Sequence, residues 1–369
     1  MDKNKFQTFF DCGSSKIRAG IFDKNKKNEA FYAESEFFTD QSNLESKIQK
    51  IITCLEKDTN EYINSINLMI DSPKMLSIGL SISKKLDGSK LKHTNIQFLV
   101  QDAKQQILKY YANHNIAHII INNYIIDDLE YSYLPNEIKC HFISLDIIFI
   151  CLPTDLVLHF KGIFSKFNIL IDQIICSSYA KSISYKDNLN LSGNVSFIDV
   201  GFSRTSIISY FNDKILSLDT LPVGGNHITK DISQILEMDL DQSEKTKLNF
   251  DKNQKSLSGE DISIEMLQKI IFARTEEILE LCAKSIESSS FMLGQFKMVL
   301  MGAGSKILDN NYKDKISFSN DIDFIEETLE DICQSGFKFS AGLNKQEVLV
   351  VPKRHIKHGF FEKLFLLFR

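Results

Sequence analysis

The sequence predicts a duplicated α/β architecture of two lobes, and three observations carry that prediction. The first is an apolar strand, an aspartate and a glycine turn at Phe9-Phe10-Asp11-Cys12-Gly13-Ser14-Ser15-Lys16-Ile17-Arg18-Ala19-Gly20-Ile21-Phe22. The second is a twin of that stretch, Val195-Ser196-Phe197-Ile198-Asp199-Val200-Gly201-Phe202-Ser203-Arg204-Thr205, with Asp, Gly, Ser and a base in the same spacing. Asp199 follows Asp11 by 188 residues (199 − 11), about half of a 369-residue chain. The third is Lys297-Met298-Val299-Leu300-Met301-Gly302-Ala303-Gly304-Ser305-Lys306-Ile307, a strand running into a glycine turn and a helix start.

A strand-terminal Asp with Gly two residues later suits phosphate. Such a glycine permits positive φ, so that successive backbone N–H groups converge on one spot. Ser14, Ser15 and Ser203 add hydroxyl donors, and a carboxylate beside a polyphosphate usually holds hydrated Mg²⁺. Asp-x-Gly alone is a common turn. Two copies, with the glycine turn at Gly302 to close on a nucleoside, point to two hairpins clamping a nucleotide between lobes.

In order along the chain, Glu29 to Phe38 reads as a third strand and Asn43 to Leu55 as a helix with Leu44, Ile48, Ile51, Ile52 and Leu55 on one face. Asn67 to Asp71 is a buried strand ended by Ser72-Pro73. The order then changes between about Leu80 and Asn168. Val100 to Tyr111 is helical, Ala117 to Ile126 and Glu137 to Leu152 are strand-like, and Thr154 is an N-cap for a helix through Leu156, Phe160 and Phe164. Ile169 to Ala180 returns to strand and helix. Gly224-Gly225-Asn226 opens a helix whose first amides are either an anion or ribose site or a plain helix entry. Glu237 to Gly259, rich in charge, reads as a solvated helix and loop, and Ser263 to Glu287 as the longest helix. A helix over Ile322 to Cys333 is expected to finish the second lobe, with a turn and strand at Gly336 to Gly342.

The Asp-x-Gly-x-Ser-Lys run at Asp11, Phe197-Ile198-Asp199-Val200-Gly201, Pro222-Val223-Gly224-Gly225-Asn226-His227-Ile228-Thr229-Lys230-Asp231-Ile232, Ala273-Arg274-Thr275-Glu276-Glu277-Ile278 and the Gly302 turn occur in this order in FtsA, the actin-like family of bacterial cell division. The chain resembles that family over nearly its whole length, most specifically in the Pro222 to Ile232 run. The Asp/Gly hairpins are common to actin-like, hexokinase-like and heat-shock ATPases.

The resemblance implies an actin-like ATPase fold of two duplicated, ribonuclease-H-like lobes, with a small α/β subdomain inserted into the first. Residues 1–80 would begin the first lobe, 81–168 form the insert and 169–345 form the second lobe after a return through the first. Residues 346–358 would be a basic linker, and 359–369 an amphipathic membrane-targeting helix. It implies ATP with Mg²⁺, held by Asp11, Gly13, Ser14, Ser15 and Lys16 from one side and by Asp199, Gly201, Ser203 and Thr205 from the other. Asp11 and Asp199 would hold the metal through water, with Asp199 the catalytic candidate. Gly224, Gly225 and Asn226 would face the ribose or an anion, and Gly302, Ala303 and Gly304 the adenosine. Arg274 and Glu277 would either reach the ribose or form a surface ion pair.

Two departures leave phosphate binding possible but bear on its strength and on any hydrolysis. Gly201-Phe202-Ser203-Arg204-Thr205 stands where the family usually has a glycine pair and a threonine pair, and Gly302-Ala303-Gly304 where it usually has three glycines. No Gln or Glu is placed to orient an attacking water, since Gln173 lies within a strand and Ser177 and Ser178 are poor bases, so ATPase activity is expected to be weak or absent. The implied partners are the C-terminal peptide of the tubulin-like FtsZ, further copies in a polymer, anionic inner-membrane lipids and other divisome proteins. The implied place is the cytoplasmic face of the inner membrane at the division site. A PilM-like pilus-assembly ATPase and a sugar or acid kinase of the same fold stand as alternatives; a kinase would need a second, substrate-reading constellation.

Composition agrees with a globular chain of two or more domains: 43% hydrophobic, 25% charged. A net charge of −5 gives no support to nucleic-acid binding. The seven cysteines are scattered without a Cys-x-x-Cys pair, as in a reducing cytosol. Met1 to Phe10 is not expected to be a signal peptide, and no apolar run approaches the roughly 20 residues needed to span a bilayer. The C-terminus stands apart: Pro352-Lys353-Arg354-His355-Ile356-Lys357-His358 is basic and leads into Gly359 to Arg369. On a helix, Phe360, Phe361, Leu364, Phe365, Leu367 and Phe368 share an arc of about 160°, which suits lying among anionic headgroups. A terminal helix docked on the body is the other reading.

Overall fold

The structure, a computed structural model, describes residues 5–24, 29–39, 41–135, 138–250, 263–289, 296–307, 322–342 and 347–348. Two five-stranded sheets of the same strand order form the lobes. In the first, β1 (Phe6–Cys12), β2 (Ile17–Asp23) and β3 (Ala30–Glu34) make an antiparallel meander. Helix α1 (Leu44–Thr59) then leads to β4 (Ser65–Ile70), parallel to β1. The five apolar positions that read as the inner face of α1 are its buried residues.

The chain leaves this sheet for a four-stranded one. It is built from β5 (Leu76–Lys90), β6 (His114–Ile126), β7 (Leu129–Tyr131) and β8 (Lys139–Pro153) in the order β5-β8-β6-β7, with α2 (His93–Tyr110) packed against it. It has a core of its own, including Leu99, Ile107, Leu145 and Phe149. Against the expected span of 81–168, the small sheet begins at Leu76. Helix α3 (Thr154–Lys166) packs on the first lobe, where Phe164 meets Phe10 edge to face at 5.3 Å. Thr154 is the first residue of α3 rather than its cap; its hydroxyl accepts from Asn115. The 15-residue β5 went unread because its residues alternate between half-buried and exposed over a polar run.

β9 (Leu170–Cys176) returns parallel to β4 and completes the order β3-β2-β1-β4-β9. Helix α4 (Ser177–Asn188) then crosses to the second sheet, formed by β10 (Val195–Val200), β11 (Thr205–Phe211) and β12 (Lys214–Leu221). Helices α5 (Gly225–Ile235), α6 (Leu240–Leu248) and α7 (Ile264–Ser289) follow. β13 (Lys297–Met301) and β14 (Ile322–Phe324) complete the order β12-β11-β10-β13-β14, and the duplicated α/β plan is thereby realised.

The last helix, α8 (Leu329–Ser340), corrects two expectations. It starts seven residues after Ile322, because Thr328 caps it: the hydroxyl accepts from the N–H of Asp331, whose carboxylate accepts the N–H of Thr328. Nor does it finish the second lobe. It packs on β1, β2 and α4 of the first, placing Phe337 flat on Phe22 at 4.6 Å. Gly336 lies within it, where a turn was expected. Residues 347–348 pair with the open edge of β6.

Six of the seven cysteines are buried free thiols. Among the described residues, no helix is long and apolar enough to cross a membrane. Phe360, Phe361, Leu364, Phe365, Leu367 and Phe368 lie outside the described residues.

Candidate functional site

The twin hairpins are superposable by register. Asp11 pairs with Arg18 and Cys12 with Ile17 in the first; 188 residues on, Asp199 pairs with Ser206 and Val200 with Thr205. In each, the glycine closes the turn in the same way. The Gly13 N–H donates to Lys16 O at 3.0 Å, and the Gly201 N–H to Arg204 O at 2.9 Å. A Cβ on Gly13 would lie 2.9 Å from Lys16 O, and one on Gly201 3.0 Å from Arg204 O, so close approach demands glycine at both places. Positive φ does not: of the site glycines only Gly302 has it, at +93°.

The hairpins face each other across a narrow cleft. Asp11, Gly13, Ser14, Ser15, Lys16, Asp199, Gly201, Gly302 and Ala303 all line one cavity of about 60 Å³. That is room for a few waters and far too little for a nucleoside triphosphate. Phe37 of the first lobe meets Phe202 of the second edge to face at 5.3 Å.

Charge fills the interior. Asp11 accepts from Ser177 Oγ at 2.7 Å and pairs with Arg18 at 3.2 Å. Lys181 Nζ lies 2.8 Å from Asp199 Oδ2 and 3.1 Å from Glu327 Oε1. Arg204 Nη2 lies 2.6 Å from Asp71 Oδ2. Burial works against the Lys181 ammonium, but Asp199, Glu327 and Asp11 outweigh it and hold its pKa above the ordinary value. Burial likewise opposes the Asp71 carboxylate, yet Arg204 and the Cys176 thiol beside it keep its pKa below the ordinary value.

Several of the residues expected here are engaged elsewhere. Lys16 Nζ turns to Glu34 at 2.6 Å. Ser203, Gly224, Gly225, Asn226 and Gly304 are not among the residues lining the cavity. The Thr205 hydroxyl donates to Val223 O. At the start of α5, the Gly225 and Asn226 amides donate to Gly201 O and Phe202 O, so that helix entry is tied to the hairpin and offers no open anion site. Arg274 grips Asp231 of α5 through Nε at 2.5 Å and Nη2 at 2.9 Å, and Glu277 through Nη1 at 2.5 Å, which realises the ion-pair reading of Arg274 and Glu277.

Nor does Asp199 stand free as a general base, since its Oδ2 holds Lys181 at 2.8 Å. The donor set also does not fit Mg²⁺, which keeps several waters and binds through one or two carboxylates that here each hold a resident cation. Asp11 and Asp199 already take a serine, an arginine and a lysine. Among the described residues, no group of three or more His, Cys, Asp or Glu is arranged to hold a metal.

Asp71, Lys181 and Glu327 were not read from the sequence as site residues, and only the odd lysine in a Ser-rich helix start hinted at them. The charged stretch from Glu237 is also not merely solvated. Within α6, Lys247 and Glu244 are buried and paired at 2.5 Å, with Lys247 donating to Gly225 O and Thr229 Oγ1. Burial, more than Glu244 offsets, lowers the Lys247 pKa.

Comparison with known proteins bears on both sequence and fold. A family model described as Cell division protein FtsA matches residues 196–331. FtsA of Buchnera aphidicola subsp. Acyrthosiphon pisum (strain APS) is 22% identical over 377 residues, covering 87% of this chain and 85% of the relative. FtsA of Agrobacterium fabrum (strain C58 / ATCC 33970) is 20% identical over 294 residues, 74% of this chain and 66% of the relative. FtsA of Bacillus subtilis (strain 168) is 31% identical over 153 residues, 35% of this chain and 34% of the relative. Among solved structures, the PilM-PilN type IV pilus biogenesis complex matches with a TM-score of 0.62 at 12% identity, over 91% of this chain and 96% of that one. Ethanolamine utilization protein EutJ from Carboxydothermus hydrogenoformans matches at 0.52 and 8% identity, over 90% and 89%. At such identities the structural likeness concerns the fold alone. The fold is actin-like, and the sequence resembles FtsA across the second hairpin and well beyond it.

Proposed function

We propose that the chain is an FtsA-type division adaptor: an actin-fold body that associates with copies of itself beneath the bacterial inner membrane, anchored by its C-terminal helix. Its second lobe takes the C-terminal peptide of FtsZ, and it works at the division site with other divisome proteins. The observation that best supports this is the pair of register-matched hairpins facing one cleft, the second of which lies in the stretch that the FtsA family model matches.

ATP acts in this reading as a conformational ligand. A cavity of about 60 Å³ admits it only when the lobes part. The Arg204–Asp71 and Lys181–Asp199 pairs are what its entry must break. With Ser177 and Ser178 at the turn where a Gln or Glu would orient the attacking water, turnover is slow or absent. Each large apolar side chain of the tail contributes roughly 1.5–3 kcal/mol on burial before ordering costs, so one tail holds lipid weakly and a row of them on a polymer holds it strongly.

Sedimentation with vesicles rich in anionic lipid tests the anchor. The full chain should pellet, and a chain stopped at His358 should remain in the supernatant; equal pelleting counts against this reading. A PilM-like adaptor of the same fold has no need of its own lipid anchor, so both chains remaining in the supernatant would favour it. Product formation on a panel of sugars would favour a kinase.

A further inference from the structure

Lys181 sits in a ring of acids where the two lobes meet. Its ammonium is 2.8 Å from Asp199 Oδ2, and 3.1 and 3.3 Å from the two oxygens of Glu327. Asp11 is near enough to add to the attraction. Side-chain exposure is 7% for Lys181, 8% for Asp199 and 4% for Glu327, so water does little to screen the cluster. A cation buried among carboxylates drawn from different elements is what an oxygen-ligated metal site provides.

The charge count points the same way. With the Lys16–Glu34 pair at the rim set aside as neutral, Asp11, Asp71, Asp199 and Glu327 face Arg18, Lys181 and Arg204, which leaves a single unit of negative charge around the cleft. A divalent ion would find no carboxylate without a resident partner. We infer that Lys181 is the resident cation of this cleft, standing in the place of a divalent metal, so that the chain closes its lobes with no Mg²⁺ bound. The arrangement of α4 supports this role. Its N-terminal residues are fixed to the first lobe by the Ser177–Asp11 bond and by the Ser178 N–H to Asp71. One turn later, Ser182 bonds Tyr210 of the second lobe at 2.8 Å. Lys181 is therefore delivered to Asp199 by a first helical turn and a half tied to both lobes. This inference stands whether or not a nucleotide enters.

The experiment uses the full chain with Mn²⁺ as a spectroscopic substitute for Mg²⁺, free Mn²⁺ being counted by electron paramagnetic resonance. Thermal melting is compared in Mg²⁺ and in EDTA. The wild type should bind no Mn²⁺ and melt at the same temperature in both. Lys181→Met frees Asp199 and Glu327, and should bind one Mn²⁺ per chain and melt higher in Mg²⁺. Mn²⁺ binding by the wild type that Asp199→Asn abolishes would overturn the inference. So would a folded Lys181→Met that binds none. Should Lys181→Met be recovered unfolded, refolding from urea with and without Mg²⁺ decides: recovery only with Mg²⁺ supports the substitution of metal for ammonium, and no recovery in either overturns it.

Discussion

Arg204 Nη2 lies 2.6 Å from Asp71 Oδ2, and this contact joins the turn of the second hairpin to the end of β4 in the other lobe. The Asp71 side chain is fully buried; it also accepts the Ser178 N–H at 3.1 Å and the Cys176 thiol at 2.9 Å. The two lobes thus share one charge pair that neither could satisfy alone.

Arg204→Met should therefore destabilise the protein by about 3–5 kcal/mol, the usual cost of leaving a buried charge without its partner. Urea unfolding measures it. Asp71→Asn with Arg204→Met, which removes both charges and keeps an acceptor for Ser178, should recover most of the loss.

The same pair fixes a pH response. Asp71 has a folded pKa below the ordinary 3.8, so its contribution is fully present above that value and is lost as pH falls through the lowered one. Acid unfolding of Asp71→Asn should be flatter in this limb than that of the wild type. Superimposable acid limbs would show that Asp71 is not what acid attacks.

Gly302→Ala should lower the melting temperature markedly. At φ +93° a side chain is strained, and its Cβ would press to 2.3 Å from Asp199 Oδ1. A loss of at least about 2 kcal/mol follows. Gly79→Ala, where a Cβ meets nothing within 4 Å, is the control and should stay within about 0.5 kcal/mol.

Glu347→Ala should release residues 347–348 from β6. His118, with no exposed surface, accepts the Cys176 N–H at Nε2, so its proton sits on Nδ1 and donates to Glu347 Oε1 at 2.5 Å. Truncation strands that donor, at about 1–3 kcal/mol. The Val348 amide, bonded to Ile119 O at 2.8 Å, should then exchange its hydrogen faster than in the wild type.

Local pattern carried much of the fold. The inner face of α1, the strands around both aspartates and the start of α5 follow from apolar spacing and glycine, which act over a few residues and are written in sequence. Where a cap or polar run competes with apolar spacing, local reading fails: Thr328 sets the start of α8, and β5 carries an exposed polar face. The hairpins were legible as twins; which of their side chains would be unavailable was not. Thr205, Lys16 and Arg274 each found a partner that no spacing announces.

By itself the sequence determined that two copies of one strand–aspartate–glycine unit would be built, because strand pairing and a tight turn depend only on neighbours. Only the tertiary structure decided what the aspartates face. Asp71 and Arg204 are 133 residues apart, and Lys181 and Glu327 146. Coulomb attraction between buried groups depends on their separation in space and on the water removed from around them, and both are set only once the lobes have closed.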